Sequence, residues 1–433
     1  MAVLGSSADP RSRSYLDRRT AMCGALADLE RALDAAREGG GERAATRHHA
    51  RGKLLARERI ELLVDRDSPL LELSPVAGWG TDTPVGAAVV TGIGVVEDRP
   101  CVLIANDPTV RSGALDRLTL RKIERAVRIA REQHLPTVAL IEAEGLAPAS
   151  PPELFRGTAS TLGALAALNA AHIPTVGVFF GQPGAAADVG CFDSTVALRG
   201  HPTAGHAEQV AEDERDALRL ARACVARLPG PVMEPLRTSP PTYDVEDLLG
   251  VPPSDVAEIL GRILDGSEFD EVQPGRGSEV CAGWGRIHGH PVGVIAETTG
   301  PVRPVESRKA CRLLRQAAVT RTPVILLRQG LAHPHRAETA MAAAATGVPL
   351  ITVRIGGWCG VPLLNTVARF RFAWPDAWAA LSPTEPESSA LTLSGRLDDD
   401  GIIDPRDTRT VLGFCLSLIA LAARGRAMAG VGA

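Results

Sequence analysis

Gly92-Ile-Gly94-Val-Val-Glu-Asp-Arg-Pro100 returns later in the chain as Gly283-Trp-Gly285-Arg-Ile-His-Gly-His-Pro291, with every matched residue displaced by 191 positions. Farther along, Arg121-Lys122 and Pro136 match Arg308-Lys309 and Pro323 at a displacement of 187. Ile173-Pro174-Thr175 then matches Val348-Pro349-Leu350 at 175. Displacements that shrink while the pieces keep their order are what a duplicated domain leaves after loop deletions in its second copy. The sequence therefore predicts two like domains, joined by a proline-rich link holding Pro229, Pro231, Pro235, Pro240 and Pro241. The expected limits are a helical extension over 1–46, a first domain over 47–228, a linker over 229–253 and a second domain over 254–433.

Within the first copy, strand-like runs at 87–96, 101–105, 137–141 and 175–180 alternate with helical patterns at 115–133 and 159–170. Such alternation predicts an α/β domain of parallel β/α units with right-handed crossovers. Residues 14–37 carry Ala and Leu among charged residues at helical spacing and meet Gly39, Gly40 and Gly41, so a helix outside the core followed by a flexible link is expected. The stretch 51–65 reads as an amphipathic helix with Leu54, Leu55, Ile60, Leu63 and Val64 turned inward. Its basic residues read as a solvated stripe. The stretch 157–187 has no Asp, Glu, Lys or Arg, but Asn169, His172 and Pro174 interrupt it. A buried helix followed by a buried strand is expected there, and no membrane span.

With 433 residues, 45% of them apolar, the chain has material for two or three cores. A net charge of -4 and 3% aromatic residues give neither a broad basic face nor stacking platforms, so nucleic acid is not an expected partner. The eight cysteines stand singly, with no C-x-x-C pair, and read as buried thiols of a reducing compartment; no metal is expected. Asp9, Arg11, Arg13, Asp17 and Arg18 precede any apolar run, unlike a signal peptide, so a cytoplasmic location is expected. Hydrolase, metalloprotease and P-loop signatures are absent, and Gly92-Ile-Gly94 lacks the third glycine of a dinucleotide fingerprint.

One arrangement carries chemistry. Val176-Gly-Val-Phe-Phe-Gly-Gln-Pro-Gly184-Ala185-Ala186-Ala187 is a strand that ends in small residues and leads into a helix. Small residues let a carbonyl approach the backbone, and free amides at a helix start point their hydrogens at developing negative charge, as in an oxyanion hole. The alternative is a tight turn that packs helix on sheet. At a displacement of 175, Ala185 and Ala186 fall on Gly360 and Val361, a second strand end of the same kind. His333 and His335 read as loop histidines, with acid or base work as the alternative.

Arg51-Gly-Lys-Leu-Leu-Ala-Arg-Glu-Arg-Ile60, Asp107-Pro-Thr-Val-Arg-Ser-Gly-Ala-Leu115, Phe372-Ala-Trp-Pro375 and Asp404-Pro-Arg-Asp-Thr-Arg409 together resemble the carboxyltransferase β subunits of biotin-dependent acyl-CoA carboxylases, of the propionyl-CoA carboxylase type. The resemblance covers nearly all of the chain after Arg47. It implies tandem crotonase-like (ClpP/crotonase) ββα superhelical domains, the first for acyl-CoA and the second for biotin. It also implies a dimer or hexamer with the active site shared between opposed subunits, or assembly with a related β subunit, and a biotin carboxylase and biotin carrier supplied by other chains. Amides of Ala185 and Ala186 would hold the thioester enolate, and those of Gly360 and Val361 the biotin ureido oxygen. Coenzyme A contacts would fall to Arg51, Lys53, Arg57, Gly184 and Lys122. For Lys122 and its counterpart Lys309 a shared packing position is the alternative.

The sequence departs from that pattern in three places. Gly145-Leu-Ala-Pro148 lacks the arginine of the corresponding turn, Leu327-Arg-Gln-Gly-Leu-Ala-His-Pro-His335 replaces an Asp-x-Pro-Gly-Phe loop, and the excursion between Pro375 and Ser394 is short. The expected function is carboxyl transfer from a biotin carrier to an acyl-CoA through an enolate. Two rivals remain, a biotin-independent CoA-thioester enzyme of the same fold and a non-catalytic partner of an active β subunit.

Overall fold

In the computed structural model, residues 2–143, 151–181, 189–228, 232–233, 236–300, 302–331, 334–359, 367–380 and 387–431 are described. The chain opens with β1 (Ala2–Val3), α1 (Arg13–Glu38) and α2 (Glu42–His49). A first set follows: α3 (Ala56–Leu63), β2 (Leu71–Glu72), β3 (Val89–Val96), β4 (Arg99–Asn106), α4 (Arg117–Gln133), β5 (Thr137–Ile141), α5 (Pro151–Ala170), β6 (Thr175–Phe179), β7 (Ser194–Leu198), β8 (Gln209–Ala211) and α6 (Glu214–Ala226). The second set is α7 (Val256–Ile263), β9 (Glu268–Glu271), β10 (Val280–Ile287), β11 (His290–Glu297), α8 (Pro304–Thr320), β12 (Val324–Leu331), α9 (Pro334–Thr346), β13 (Leu350–Cys359), β14 (Phe370–Ala373), β15 (Trp378–Ala380), β16 (Ser388–Ser389), α10 (Ala390–Gly395), β17 (Gly401–Ile402) and α11 (Thr408–Val431).

Two units result. The first-repeat unit comprises Ala32–Met233, Gly395–Asp398 and Ala420–Ala433; the second-repeat unit comprises Met1–Arg31, Glu234–Ser394 and Asp399–Ile419. The first has a seven-stranded sheet in the order β2-β3-β4-β5-β6-β7-β8, antiparallel to β4 and parallel from there on. The second repeats the plan as β10-β11-β12-β13-β14, with β9 and β1 added at one edge.

The repeated sequence is the repeated hairpin. β3 and β4 join at Glu97 and Asp98, with φ of 50° and 60°; β10 and β11 join at His288 and Gly289, with φ of 48° and 80°. Two left-handed residues make the tight turn whose twist matches the strands, and proline is tolerated in each returning strand near its start.

The first-repeat sheet is covered on both faces, and its central strands β5 and β6 are buried at every position and apolar after their first threonine. Val138, Leu140, Val176 and Val178 pack with Ile60, Leu63, Leu218 and Ala221 of α3 and α6. Ile104, Ala139 and Ile141 face Leu120, Ile123 and Leu165 of α4 and α5. Each such fully buried aliphatic side chain contributes roughly 1.5–3 kcal/mol. Asp116 starts α4 by accepting from the N–H groups of Leu118 and Thr119 at 2.9 and 2.8 Å. The charge-free stretch folds as a helix, α5, and a strand, β6; the strand is buried as expected, but over 161–170 the helix buries only Thr161, Leu165 and Leu168.

Three expectations need correction. The flexible link after Gly41 is the short helix α2, and α1 is not outside the core: Tyr15, Met22, Leu29, Ala32 and Ala36 are buried. The helix expected over 51–65 begins only at Ala56, because the Leu54 and Leu55 N–H groups donate to the carboxylates of Glu214 and Glu58, at 3.0 and 2.7 Å. All eight cysteines are free thiols, but only five are buried: Cys23 is exposed, and Cys191 and Cys281 are half-buried.

Candidate functional site

The basic stripe of 51–60 is solvated only in part: Arg51 is exposed, while Lys53 and Arg57 are half-buried. Arg59 is wholly buried, with Nε and Nη2 donating to the Glu214 carboxylate at 2.9 and 2.8 Å and Nη2 also to Glu142 at 2.5 Å. Its guanidinium lies 4.2 Å over the Phe180 ring. Its Nη1 has no hydrogen-bond partner among the described residues, which leaves one buried donor here. Lys53 completes the cluster from the other side, donating to Glu142 and, at 3.4 Å, to the Phe180 carbonyl.

Glu142 follows β5 directly and is buried. Burial alone raises a carboxyl pKa, but the charge of Arg59 and the hydrogen bonds from Lys53 and Arg59 outweigh it and hold Glu142 below the usual carboxylate range. His48, 3.8 Å from Glu142, also has its pKa lowered, here by burial, which favours the neutral ring, and its Nε2 donates to the Leu54 carbonyl at 3.2 Å. An ionised carboxylate clamped by two cations is a poor proton acceptor near neutral pH. Its work is to fix the ends of β5 and β6.

Neighbouring backbone is packed against this clamp. A Cβ on Gly181, just past β6, would lie 2.7 Å from Glu142 Cγ, and one on Gly113 would lie 2.5 Å from the Glu142 carbonyl. Gly113 is brought there by a turn in which Arg111, Ser112 and Gly113 all have positive φ, at 47°, 56° and 70°. Two non-glycine residues held left-handed in a row store strain that the surroundings must impose. Behind Gly181, the Thr203 N–H donates to His201 Nδ1 at 3.1 Å, so the proton sits on Nε2, which donates to the Gly181 carbonyl.

The second-repeat unit has the same frame with different charge. At the displacement of 187 Glu142 falls on Gln329, and at 175 Gly181 falls on Gly356. A Cβ on Gly356 would lie 3.1 Å from Gln329 Oε1, the counterpart of the Gly181–Glu142 contact. Gln329 Nε2 donates to the Pro253 and Glu297 carbonyls at 2.5 and 2.9 Å. An uncharged amide held by carbonyls thus stands where the first copy has a carboxylate held by cations.

Of the residues singled out from sequence, Ala185, Ala186, Gly184, Gly360 and Val361 lie outside the described residues, as do Gly145 to Pro148 and His333. Lys53 joins the strand-end cluster. Arg57 donates to Glu72 and the Ala36 carbonyl, at 2.8 and 3.1 Å, and Arg51 is exposed. Lys122 is a correction: its ammonium is enclosed and donates to the Gly86 and Val89 carbonyls at 3.1 and 2.8 Å, so it has no access to a phosphate. Burial lowers its pKa to about 8. Lys309 is also buried and donates to Glu271 and the Arg276 carbonyl at 2.8 and 3.2 Å. The repeated lysine pins the segment ahead of the repeated hairpin. Sequence reasoning missed Arg59, Glu142, Glu214 and Gln329. The signal for two of them was present, since the displacement that pairs the lysines also pairs Glu142 with Gln329.

Comparison with known proteins fits this geometry. The family described as "Carboxyl transferase domain" matches residues 47–188 and 197–330. The chain is 36% identical to a probable biotin-dependent acyl-coenzyme A carboxylase beta2 subunit of Mycobacterium tuberculosis, over 96% of this chain and 97% of that protein. It is 32% identical to a biotin-dependent 3-methylcrotonyl-coenzyme A carboxylase beta1 subunit of the same organism, over 91% and 94%. Among solved structures, the β subunit of P. aeruginosa geranyl-CoA carboxylase is similar with a TM-score of 0.87 and 29% identity, over 98% of this chain and 97% of that one.

Proposed function

Because the chain belongs to the carboxyl transferase family, we propose that it is the carboxyltransferase subunit of a biotin-dependent acyl-CoA carboxylase, moving a carboxyl group from a partner's biotin to the α-carbon of an acyl-CoA. The observation that carries this reading is the duplicated strand end, with Gly181 packed on Glu142 in one unit and Gly356 on Gln329 in the other. Such a frame suits two ligands that each present a carbonyl oxygen.

In the first-repeat unit the Glu142 clamp holds the ends of β5 and β6, and on this reading the amides of Ala185 and Ala186, farther along the chain, would hold the enolate oxygen. In the overall exchange the carboxyl group would replace the α-proton and the proton would pass to the nitrogen that gave the carboxyl group up, so the thioester stays intact. Donors preset toward developing charge are worth about 3–4 kcal/mol each in such reactions. In the second-repeat unit the carboxylated ring urea of biotin brings a negative charge, and the uncharged Gln329 end sets no carboxylate against it. Biotin there supplies the carboxyl group, and Gly360 and Val361 are the residues that would hold its ureido oxygen. On this reading the chain acts in the cytoplasm as an oligomer with a biotin carboxylase and biotin-carrying partner.

The test is incubation of the full chain with a panel of acyl-CoAs, with and without a carboxylated biotin carrier. Carrier-dependent formation of a carboxyacyl-CoA is expected. Turnover of an acyl-CoA without any carrier would transfer the reading to a biotin-independent enzyme, and no binding of any CoA ester would leave only a structural partner.

A further inference from the structure

We propose that the outer face of α8 and α9 in the second-repeat unit is a docking surface for an acidic helix of a partner polypeptide. Arg308, Arg312, Arg315 and Val319 follow at intervals of four, three and four residues, so they form one stripe about 16 Å long on α8. Val319 is 85% exposed, and Met341 on the facing side of α9 is 72% exposed. Between the helices runs a groove of about 850 Å³ lined by the three arginines, Arg276 and Met341. None of the four guanidiniums pairs with a carboxylate among the described residues. Glu338, also in the groove, accepts from the Ser307 hydroxyl at 2.8 Å.

Unpaired positive charge at helical spacing calls for carboxylates at the same spacing. The two exposed apolar side chains set beside it decide the class of occupant: a phosphate ligand needs only the cations, whereas arginine and methionine around an apolar patch are what protein interfaces collect. A second copy of the chain meeting this face with its own would set guanidinium against guanidinium, so the occupant is a different, acidic surface. The inference does not depend on the transfer reaction.

The test uses the full chain and a fluorescein-labelled synthetic helix of roughly 16 residues, long enough to hold its shape. It carries glutamates at i, i+4 and i+7 with leucine one turn beyond each end, and a scrambled peptide of the same composition is the control. The patterned peptide should bind about tenfold tighter than the scrambled one, more weakly as salt rises, and about tenfold more weakly to Arg312→Glu. Arg312→Gln should lie between, and Val319→Ser with Met341→Ser should weaken binding at unchanged salt dependence. Equal binding of both peptides, or no effect of the serine pair, overturns the proposal. So does full displacement of the peptide by equimolar adenosine 3′,5′-bisphosphate, which would make the groove a phosphate site.

Discussion

Glu142 and Gln329 occupy the same place in two copies of one frame, and almost everything around them differs. The first is an ionised carboxylate clamped by Arg59 and Lys53, with Glu214 as a second acid on Arg59; the second is a neutral amide held by two carbonyls. The glycine that packs on each is kept, at Gly181 and Gly356. Duplication therefore preserved the backbone's close approach at the strand end and released the electrostatics. Shape is what both halves need in common, and charge is where they specialise.

That contrast is open to attack by substitution. Arg59→Met should do the most damage, because it leaves Glu142 and Glu214 buried without their shared cation; breaking a buried pair in this way costs about 3–5 kcal/mol. Thermal or urea unfolding should show the loss, and a near-neutral result would mean that the clamp is not what holds the first strand end. Gln329→Leu removes a donor from two carbonyls and should cost less, about 1–3 kcal/mol for the groups left unsatisfied.

Acid should separate the two ends without mutation. Glu142 has a depressed pKa in the folded chain, so its contribution is complete above the ordinary value of 4.5 and is lost as pH falls below it. His48 has a lowered pKa too, so the unfolded chain takes up a proton first and stability begins to fall as pH drops below 6.5. Hydrogen exchange, corrected for intrinsic rates, should show β5 amides losing protection before those of β12. Simultaneous loss would remove the distinction.

A smaller effect concerns the repeated lysine. The Lys122 pKa is lowered from 10.5 to about 8, so the folded chain gives up that proton while the unfolded chain still holds it. Relative to Lys122→Met, the wild-type chain should gain stability as pH rises from about 8 to 10.5. A flat difference across that window would show that the ammonium reaches water.

Much of the fold was legible in the sequence because the two hairpins share both glycines and the returning proline, and because strands buried on both faces are mostly apolar. The helix boundary at 51–56 was not legible. Periodicity placed Leu54 and Leu55 on a helix, while Glu214, some 160 residues away, takes the Leu54 N–H and stops it. For the same reason Arg59 read as solvated: its partners Glu142 and Glu214 come from a strand end and a helix start that only the folded chain brings together. Lys122 shows the converse, a repeated cation whose repetition reflects packing. The amide positions at 184–186 and 360–361 rest on sequence alone.

Steady-state carboxyl transfer by Gly181→Ala and Gly356→Ala tests the central division of labour most directly. Each substitution adds one methyl at an equivalent place, against Glu142 in one unit and Gln329 in the other. The account predicts that Gly181→Ala raises KM for the acyl-CoA and leaves KM for the biotin carrier unchanged, while Gly356→Ala does the reverse, with both chains still folded. Movement of the acyl-CoA KM by Gly356→Ala alone would contradict it.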